Sequence, residues 1–263
     1  MTTRQKKILI IGHKGFIGKN LFEYFNNQKK YLVTGINDKK SQTVYKRTTF
    51  DYTIFAAGNS KTYLLQKDPT LSIKKDFIDL IDVLGNLKSK KFILLSSSLV
   101  YNPDLSIQKE TSTIDTSKIK LYGMHKLMME KYVENFSESW LILRLSGFYG
   151  NYLKKNLLYD LRNGGNQIYY HPKSKIDFIL IDDFCKILDM LKDKRNELFN
   201  VGSGITLSVV EILKMIKPKK YKFISKHIIN NSNFSIQKMK KATGYSINKK
   251  KLYAEVSNFI NNI

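Results

Sequence analysis

Residues 8 to 18 read Ile-Leu-Ile-Ile-Gly-His-Lys-Gly-Phe-Ile-Gly, an apolar run that breaks into glycines and then takes on helical spacing. The stretch predicts a first strand, a phosphate-binding turn and the start of a helix. Gly12 permits a tight turn off the strand, Gly15 lets backbone approach a pyrophosphate, and Gly18 lets a helix opening at Phe16 and Ile17 lie against the sheet. The first turn of that helix offers N–H groups and a partial positive charge to an anion. A glycine trio alone is a weak signal, and its context strengthens it. Four apolar residues precede it, and Asp38 follows Gly18 by about twenty positions, at the end of the next apolar run, where a ribose-binding acid is expected.

Outward from this turn the chain alternates strand-like and helix-like stretches, the pattern of a parallel sheet with helices on both faces, so the fold class is α/β. Phe16, Ile17, Leu21, Phe22 and Phe25 recur at helical spacing as far as Asn26-Asn27. Strands are expected at 31–36, within 43–50, at 52–57 and at 91–96, the last running into Ser96-Ser97-Ser98. Asp68-Pro69 marks the start of a helix with Leu71, Phe77, Ile78, Ile81 and Leu84 on one face. A further helix is expected over about 118–136, strands at 140–145, 176–181 and 198–201, and a helix from Asp182.

With 263 residues, 42% apolar and 25% charged, the chain can bury a full core. No apolar run approaches the roughly 18 residues of a bilayer span and no signal-peptide core is present, so a cytoplasmic location without a membrane partner is expected. The single cysteine, Cys185, excludes an intrachain disulfide, and His13, His125, His171 and His227 show no metal-ligand spacing, so no metal is expected. The formal charge of +23 suits a polyanion. Its lysines are spread from end to end, however, with only short runs such as 217–222 and 249–251. Tyr221-Lys-Phe223 alone interleaves aromatics with a basic residue, and it reads as a strand, so the expected polyanion is a nucleotide diphosphate and no nucleic acid is expected.

The chemistry is concentrated at Ser96-Ser97-Ser98 and Tyr122-Gly-Met-His-Lys126. A tyrosine and a lysine four apart on a helix lie one turn apart on the same face. Free tyrosine, with a pKa near 10, is a poor base at neutral pH. A cation about 4 Å away at an effective dielectric near 20 is worth roughly 4 kcal/mol, which brings the phenol towards about 7 before desolvation opposes it. Such a tyrosine exchanges a proton with an alcohol or a carbonyl oxygen.

Together these residues resemble the extended short-chain dehydrogenases/reductases, the NAD-dependent epimerase/dehydratase family, over almost the whole chain. The match comprises Gly12-x-x-Gly15-x-x-Gly18, Ala56-Ala57-Gly58, Asp68-Pro69, Ser96-Ser97-Ser98-Leu-Val-Tyr101 and Tyr122-Gly-x-x-Lys126 with Glu130. It continues through Arg144-Leu-Ser-Gly-Phe-Tyr149-Gly150, Asp177-Phe-Ile-Leu-Ile-Asp182-Asp183, Asn200-Val-Gly-Ser-Gly204 and Lys238-x-x-Lys-x-x-Gly244-Tyr245. The resemblance implies a Rossmann-type doubly wound sheet formed by 1–148 with about 177–204, and a small C-terminal α/β substrate lobe formed by about 149–176 with 205–263. It implies Tyr122 as acid/base, Lys126 as the residue that binds the nicotinamide ribose and lowers the tyrosine pKa, and Ser97 as hydrogen-bond donor to the reacting oxygen. The cofactor would meet Gly12, Lys14, Gly15, Phe16, Ile17, Gly18, Asn37, Asp38, Ala56, Ala57, Gly58, Lys126, Leu145 and Ser146. A nucleoside-diphosphate sugar would meet Ser98, Asn156 and Lys175. Relatives pair the helices at about 70–87 and 118–136 across a two-fold axis, which implies a homodimer with Leu127, Met128 and Met129 on those helices.

Departures from the family pattern narrow the activity. Ser98 and Leu99 stand where dehydratases carry an Asp-Glu pair, which argues against dehydration. Gly147 replaces the asparagine of many sugar epimerases, and Ile176 replaces an arginine for which Lys175 is the nearest substitute. The motif around Arg144 and the sequence Gly-His-Lys-Gly look closer to nucleotide-sugar 4-ketoreductases. The reading favoured here is therefore reduction of a 4-keto-6-deoxy sugar, with a nucleotide-sugar 4-epimerase as the alternative and a non-catalytic Rossmann binding protein behind both. On the cofactor the residues pull both ways. Asp38 favours NAD(H), whereas Asn37 at the usual acidic position and Lys14, Lys39 and Lys40 nearby lean narrowly to NADP(H).

Overall fold

The computed structural model describes residues 4–37, 48–58, 73–216, 220–224 and 232–262. Two compact units emerge: Met1–Asn102 with Ile114–Leu145 and Leu188–Phe199, and Pro103–Thr113 with Ser146–Ile187 and Asn200–Ile263.

The first unit runs through β1 (Lys6–Ile11), α1 (Phe16–Asn26), β2 (Tyr31–Ile36), β3 (Thr49–Phe50) and β4 (Tyr52–Phe55). A π-helical turn (Ile73–Ile78) leads into α2 (Asp79–Asn86), followed by β5 (Lys88–Ser89), β6 (Phe92–Ser97), α3 (Leu121–Phe136) and β7 (Trp140–Leu145). With β11 (Glu197–Val201) the main sheet has the order β11-β7-β6-β4-β1-β2. The ladders from β2 across to β7 are all parallel. Strands covered on both faces must be apolar throughout, and Ile8, Leu9, Ile10, Ile93 and Leu94 are fully buried. One face of the core gathers Leu9, Phe55, Leu80, Val83, Leu94, Met129 and Val133. Because β2 lies on one side of β1 and β4 on the other, the strand order reverses at β1. In such sheets the crevice outside the carboxyl ends at this point is where ligands bind.

At the opposite, amino-terminal ends of the strands a polar network closes the unit. Tyr31 donates its hydroxyl to Asp189 at 2.8 Å, and Tyr52 donates to Asp193. Lys192 bridges the two carboxylates, 2.9 Å from Asp189 and 3.4 Å from Asp193. Lys91 donates to the carbonyl of Asp193 at 3.2 Å. Residues 189–194, the last turn of a helix and the segment after it, are thereby tied to the starts of β2, β4 and β6.

In the second unit β10 (Lys175–Leu180) pairs in parallel with β8 (Gly147–Tyr149) and antiparallel with β12 (Thr206–Ser208). The two-residue strands β9 (Gln167–Ile168) and β13 (Lys222–Phe223) form a separate parallel ladder. Helices α4 (Leu157–Arg162), α5 (Ile181–Leu191), α6 (Val209–Leu213), α7 (Gln237–Thr243) and α8 (Lys249–Asn261) complete the chain, with α5 continuing into the first unit. Leu252, Val256 and Ile260, at helical spacing on α8, join Tyr149, Leu158, Phe178, Leu207 and Ile212 in one core. A capping box between Ser208 and Glu211 starts α6.

Several sequence expectations change in detail. Residues 43–47 of the expected third strand lie outside the described residues, as do Asp38, Lys39, Lys40, Asp68-Pro69 and Leu71. Thr49–Phe50 pairs with Lys88–Ser89, not with the edge of β2. Only Asp51 separates it from β4, so it cannot reach the far edge of the sheet. The helix expected over 118–136 begins at Leu121, because Asp115 caps a short 3-10 turn at Thr116–Lys118 and Ile119 and Lys120 are extended. On α2 the core face is Leu80 and Val83, while Ile78 and Ile81 are exposed. Of the three residues expected at a dimer face, Met128 is exposed, Leu127 is half-buried and Met129 belongs to the core. No helix among the described residues is long and apolar enough to cross a membrane.

Candidate active site

The glycine turn is as tight as its sequence demands. Gly12 has φ +85°, and a Cβ there would lie 2.7 Å from the Ala57 nitrogen, so backbone after β1 and after β4 touch. A Cβ on Gly18 would stand 2.2 Å from the Gly12 carbonyl oxygen, which makes it the residue that lets α1 close onto the turn. Gly15 donates its N–H to the Gly12 carbonyl at 2.9 Å and precedes Phe16 and Ile17, the first residues of α1. That helix has neither a side-chain cap nor an acidic residue in its first turn. A cradle that admits no side chain, at a helix start without a competing carboxylate, fits a dinucleotide pyrophosphate. Asn37, just past β2, accepts from the Lys14 N–H at 3.0 Å and braces the turn. Ala56 donates to the Ile11 carbonyl at 2.9 Å, and Gly58 has φ +150°.

The second element is the carboxyl end of β6 with the start of α3. Ser97 caps a 3-10 turn over Ser98–Val100 and accepts from the Leu99 N–H at 3.2 Å, which keeps its own O–H for donation. Gly123 lets α3 come this close: a Cβ there would lie 2.0 Å from the Leu99 carbonyl oxygen. Half-buried Tyr122 therefore begins a helix pressed against the segment that carries Ser97. Lys126, 5% exposed, donates Nζ to the Leu95 carbonyl at 3.1 Å, inside β6.

One turn further along α3 lies Glu130, 1% exposed, which accepts from the Ser96 hydroxyl. It also takes two parallel hydrogen bonds from Arg144 on β7, Nε to Oε1 at 3.0 Å and Nη2 to Oε2 at 2.7 Å. The guanidinium rests 4.7 Å from the centre of the Tyr101 ring. Burial works against its charge, but the hydrogen bond and charge of Glu130 outweigh that and hold Arg144 above its ordinary pKa. Gly123, Glu130 and Arg144 all stand in motifs that sequence reading quotes without giving them these roles. A charged pair recurring inside apolar segments was the available signal.

Leu145 closes β7 in the first unit. In the second unit, Ser146 donates its N–H to the Val201 carbonyl at 3.0 Å. Asp177 is fully enclosed: its Oδ1 accepts from the Ser203 N–H at 2.9 Å, and a Cβ on Gly202 would touch it at 2.6 Å. Burial pushes its carboxyl up to about 6, against the lowering effect of hydrogen bonds from Ser203 and Ser146. Asn156, at φ +133°, uses both ends of its side chain, donating to the Phe148 carbonyl at 2.8 Å and capping α4 at the Tyr159 N–H at 3.0 Å. Lys175 is exposed at the start of β10.

The model of the NAD dependent epimerase/dehydratase family matches residues 8–202. GDP-6-deoxy-D-talose 4-dehydrogenase of Aggregatibacter actinomycetemcomitans is 24% identical over 238 residues, 80% of this chain and 79% of that protein. Among solved structures, UDP-glucose 4-epimerase of Thermotoga maritima, with UDP-glucose, superposes with a TM-score of 0.83 at 20% identity over 97% of each chain. UDP-glucuronic acid 4-epimerase of Bacillus cereus, with UDP-glucuronic acid and NAD, does so with 0.84 at 19% identity over 97% of this chain and 98% of that one. The chain belongs to the NAD dependent epimerase/dehydratase family and is an NAD(P)-dependent oxidoreductase of it.

The lean to NADP(H) is corrected by these comparisons. Four solved structures, of the Bacillus cereus enzyme and of MoeE5, hold NAD. In this chain the side chain of Lys14 is exposed to solvent, and Lys39 and Lys40 lie outside the described residues. A lysine counted near a turn by sequence need not point its ammonium into it.

Proposed function

We propose that this member of the epimerase/dehydratase family is an NAD-dependent 4-epimerase of a nucleoside-diphosphate sugar. The observation that carries the reading is the likeness over nearly full length to two UDP-sugar 4-epimerases, combined with Ser97, Tyr122 and Lys126 on the elements where such chemistry requires them. Bound NAD supplies a hydride acceptor that can return the hydride. Tyr122 takes the proton from the sugar C4 hydroxyl, Ser97 donates to the same oxygen as it becomes a carbonyl, and the Lys126 ammonium favours the phenolate. Tyr122 would give the proton back to the same oxygen when the hydride is returned to the opposite face of the sugar, so that the epimer forms with no net oxidation. Reduction of a 4-keto-6-deoxy sugar, favoured on sequence alone, is the less supported reading. The 4-dehydrogenase relative keeps a one-way reaction at C4 as the second one.

Incubating the protein with NAD and UDP- or GDP-hexoses separates the two. Epimer formation without accumulating NADH is expected, and stoichiometric NADH with a 4-keto product overturns epimerisation in favour of the dehydrogenase. We propose further that two copies pair through α2 and α3, where Ile78, Ile81, Met128 and Phe136 are exposed. A dimer mass by light scattering at micromolar concentration is expected, and a monomer mass overturns the pairing.

A further inference from the structure

We infer that Arg144 is a positioning residue that electrostatically insulates the acid–base pair: it neutralises buried Glu130, so that the charge of Lys126 acts on Tyr122 alone. The inference rests on the reading of Tyr122 and Lys126 given above. Tyr122, Lys126 and Glu130 are spaced four apart on one face of α3, with Lys126 in the middle. Lys126 and Glu130 bind consecutive residues of the same strand, the Leu95 carbonyl and the Ser96 hydroxyl, and both are at most 5% exposed. In that enclosure solvent does not screen Glu130, and its carboxylate would otherwise oppose the lysine's effect on the phenol. The bidentate contact from β7, 3.0 Å and 2.7 Å, cancels that charge locally. Among the described residues, Tyr101 lies under the guanidinium from the segment after β6, and His125 is buried next in sequence to Lys126 on α3. Neither carries a fixed positive charge that could replace Arg144 in this role.

A buried ion pair is also a structural tie between α3, β6 and β7, so the test must read something a tie alone would not change. The Tyr122 phenol is titrated by its phenolate absorbance in the NAD-saturated protein, as the difference between each variant and the same variant carrying Tyr122→Phe. This difference isolates one of 16 tyrosines. Over two helical turns, about 12 Å, an unscreened unit charge at an effective dielectric near 20 shifts a pKa by roughly one unit. Arg144→Met, which leaves Glu130 unpaired, is expected to raise the Tyr122 value by about that much. Glu130→Gln, which leaves Arg144 unpaired, is expected to lower it by a similar amount, and the double variant to return it close to wild type.

Arg144→Lys, which keeps the charge but not the fork, is expected to leave the value unchanged while weakening the fold. Shifts of the same sign in the two single variants, or no shift in either, overturn the inference. If Arg144→Met does not fold, Glu130→Gln with Arg144→Lys still decides it, since a purely structural tie predicts no drop in the first. Should Tyr122 titrate near an ordinary tyrosine in the wild type, the acid–base reading itself has failed and not merely its insulation.

Discussion

At the amino-terminal ends of β2 and β4 the hydroxyls of Tyr31 and Tyr52 donate to Asp189 and Asp193, and Lys192 lies between the two carboxylates. At the carboxyl ends of the same sheet stand glycines that admit no side chain, a serine hydroxyl with its proton still to give, and a helix start without a cap. Strand and sheet are identical at the two ends, so the difference lies in what the polar groups have been given to do. The floor satisfies its donors and acceptors within the unit and resists change. The top keeps capacity for a bound molecule, and its geometry is fixed by close backbone contacts.

The comparison breaks most easily at Tyr122. On the proposed role of Tyr122 as proton donor, Tyr122→Phe is expected to lower turnover by about two to four orders of magnitude and leave NAD affinity nearly intact, because such a hydroxyl acts mainly in the transition state. If more than about a tenth of the activity survives in a steady-state assay, the top is not the reactive end as described. Lys126→Met should weaken both turnover and NAD binding, which fluorescence titration reads directly.

Next in size come the contacts that hold the top open. Gly18→Ala places a methyl 2.2 Å from the Gly12 carbonyl, and Gly123→Ala places one 2.0 Å from that of Leu99. Each forces a helix away from its strand end and is expected to cost about 1–3 kcal/mol of stability. NAD affinity should suffer chiefly in the first and turnover chiefly in the second. Equal losses of both quantities in both variants would mean that the two close approaches do not serve separate elements.

On the floor, Asp189→Asn should cost about 1–3 kcal/mol in urea unfolding, since it strips Lys192 and Tyr31 of a charged acceptor. The affinity for NAD should not move. A variant of wild-type stability with altered binding would erase the contrast between the two ends.

The smallest effect is one of sign. Burial opposes ionisation of Asp189, but hydrogen bonds from Lys192 and Tyr31 outweigh it and hold the carboxyl below the usual range. Its stabilisation is therefore complete above a pH of about 4 and is lost as pH falls through the lowered value. Asp177 behaves oppositely: its carboxyl is pushed up to about 6, so its contribution is complete below a pH of about 4 and is lost as pH rises through the folded value. Unfolding midpoints between these limits should decline with pH in the wild type and flatten in Asp177→Asn. A midpoint that still declines in that variant assigns the slope to another group.

Sequence made the first unit legible because each strand is a short apolar run followed by helical spacing, as from Ile8 to Phe25. In the second unit that signal is confined to β10 and the start of α5: β8, β9, β12 and β13 are two or three residues long, too short for alternation to register. On α2 the apolar residues surround the helix, and period alone did not separate Leu80 and Val83 from Ile78 and Ile81. Of the candidate site, the residues with recognisable chemistry stood out, whereas Glu130 and Arg144 stood in the quoted motifs without a role, because pairing between a helix and a strand is not visible in sequence. The lean to NADP(H) had the same origin, since lysine count near a turn says nothing of where the ammonium groups go.

The floor network also sets a schedule for the chain as it is made. Tyr31 finds its carboxylate 158 residues later and Tyr52 finds its own 141 residues later. At about 5–20 residues per second, the first strands wait roughly ten to thirty seconds after leaving the ribosome before Asp189 exists to meet them. Until then the bases of β2 and β4 lack the carboxylates that accept from Tyr31 and Tyr52. A nascent chain arrested before residue 189 is expected to bind a chaperone and be cleaved readily by protease in its first hundred residues, and one released after residue 199 to resist that cleavage.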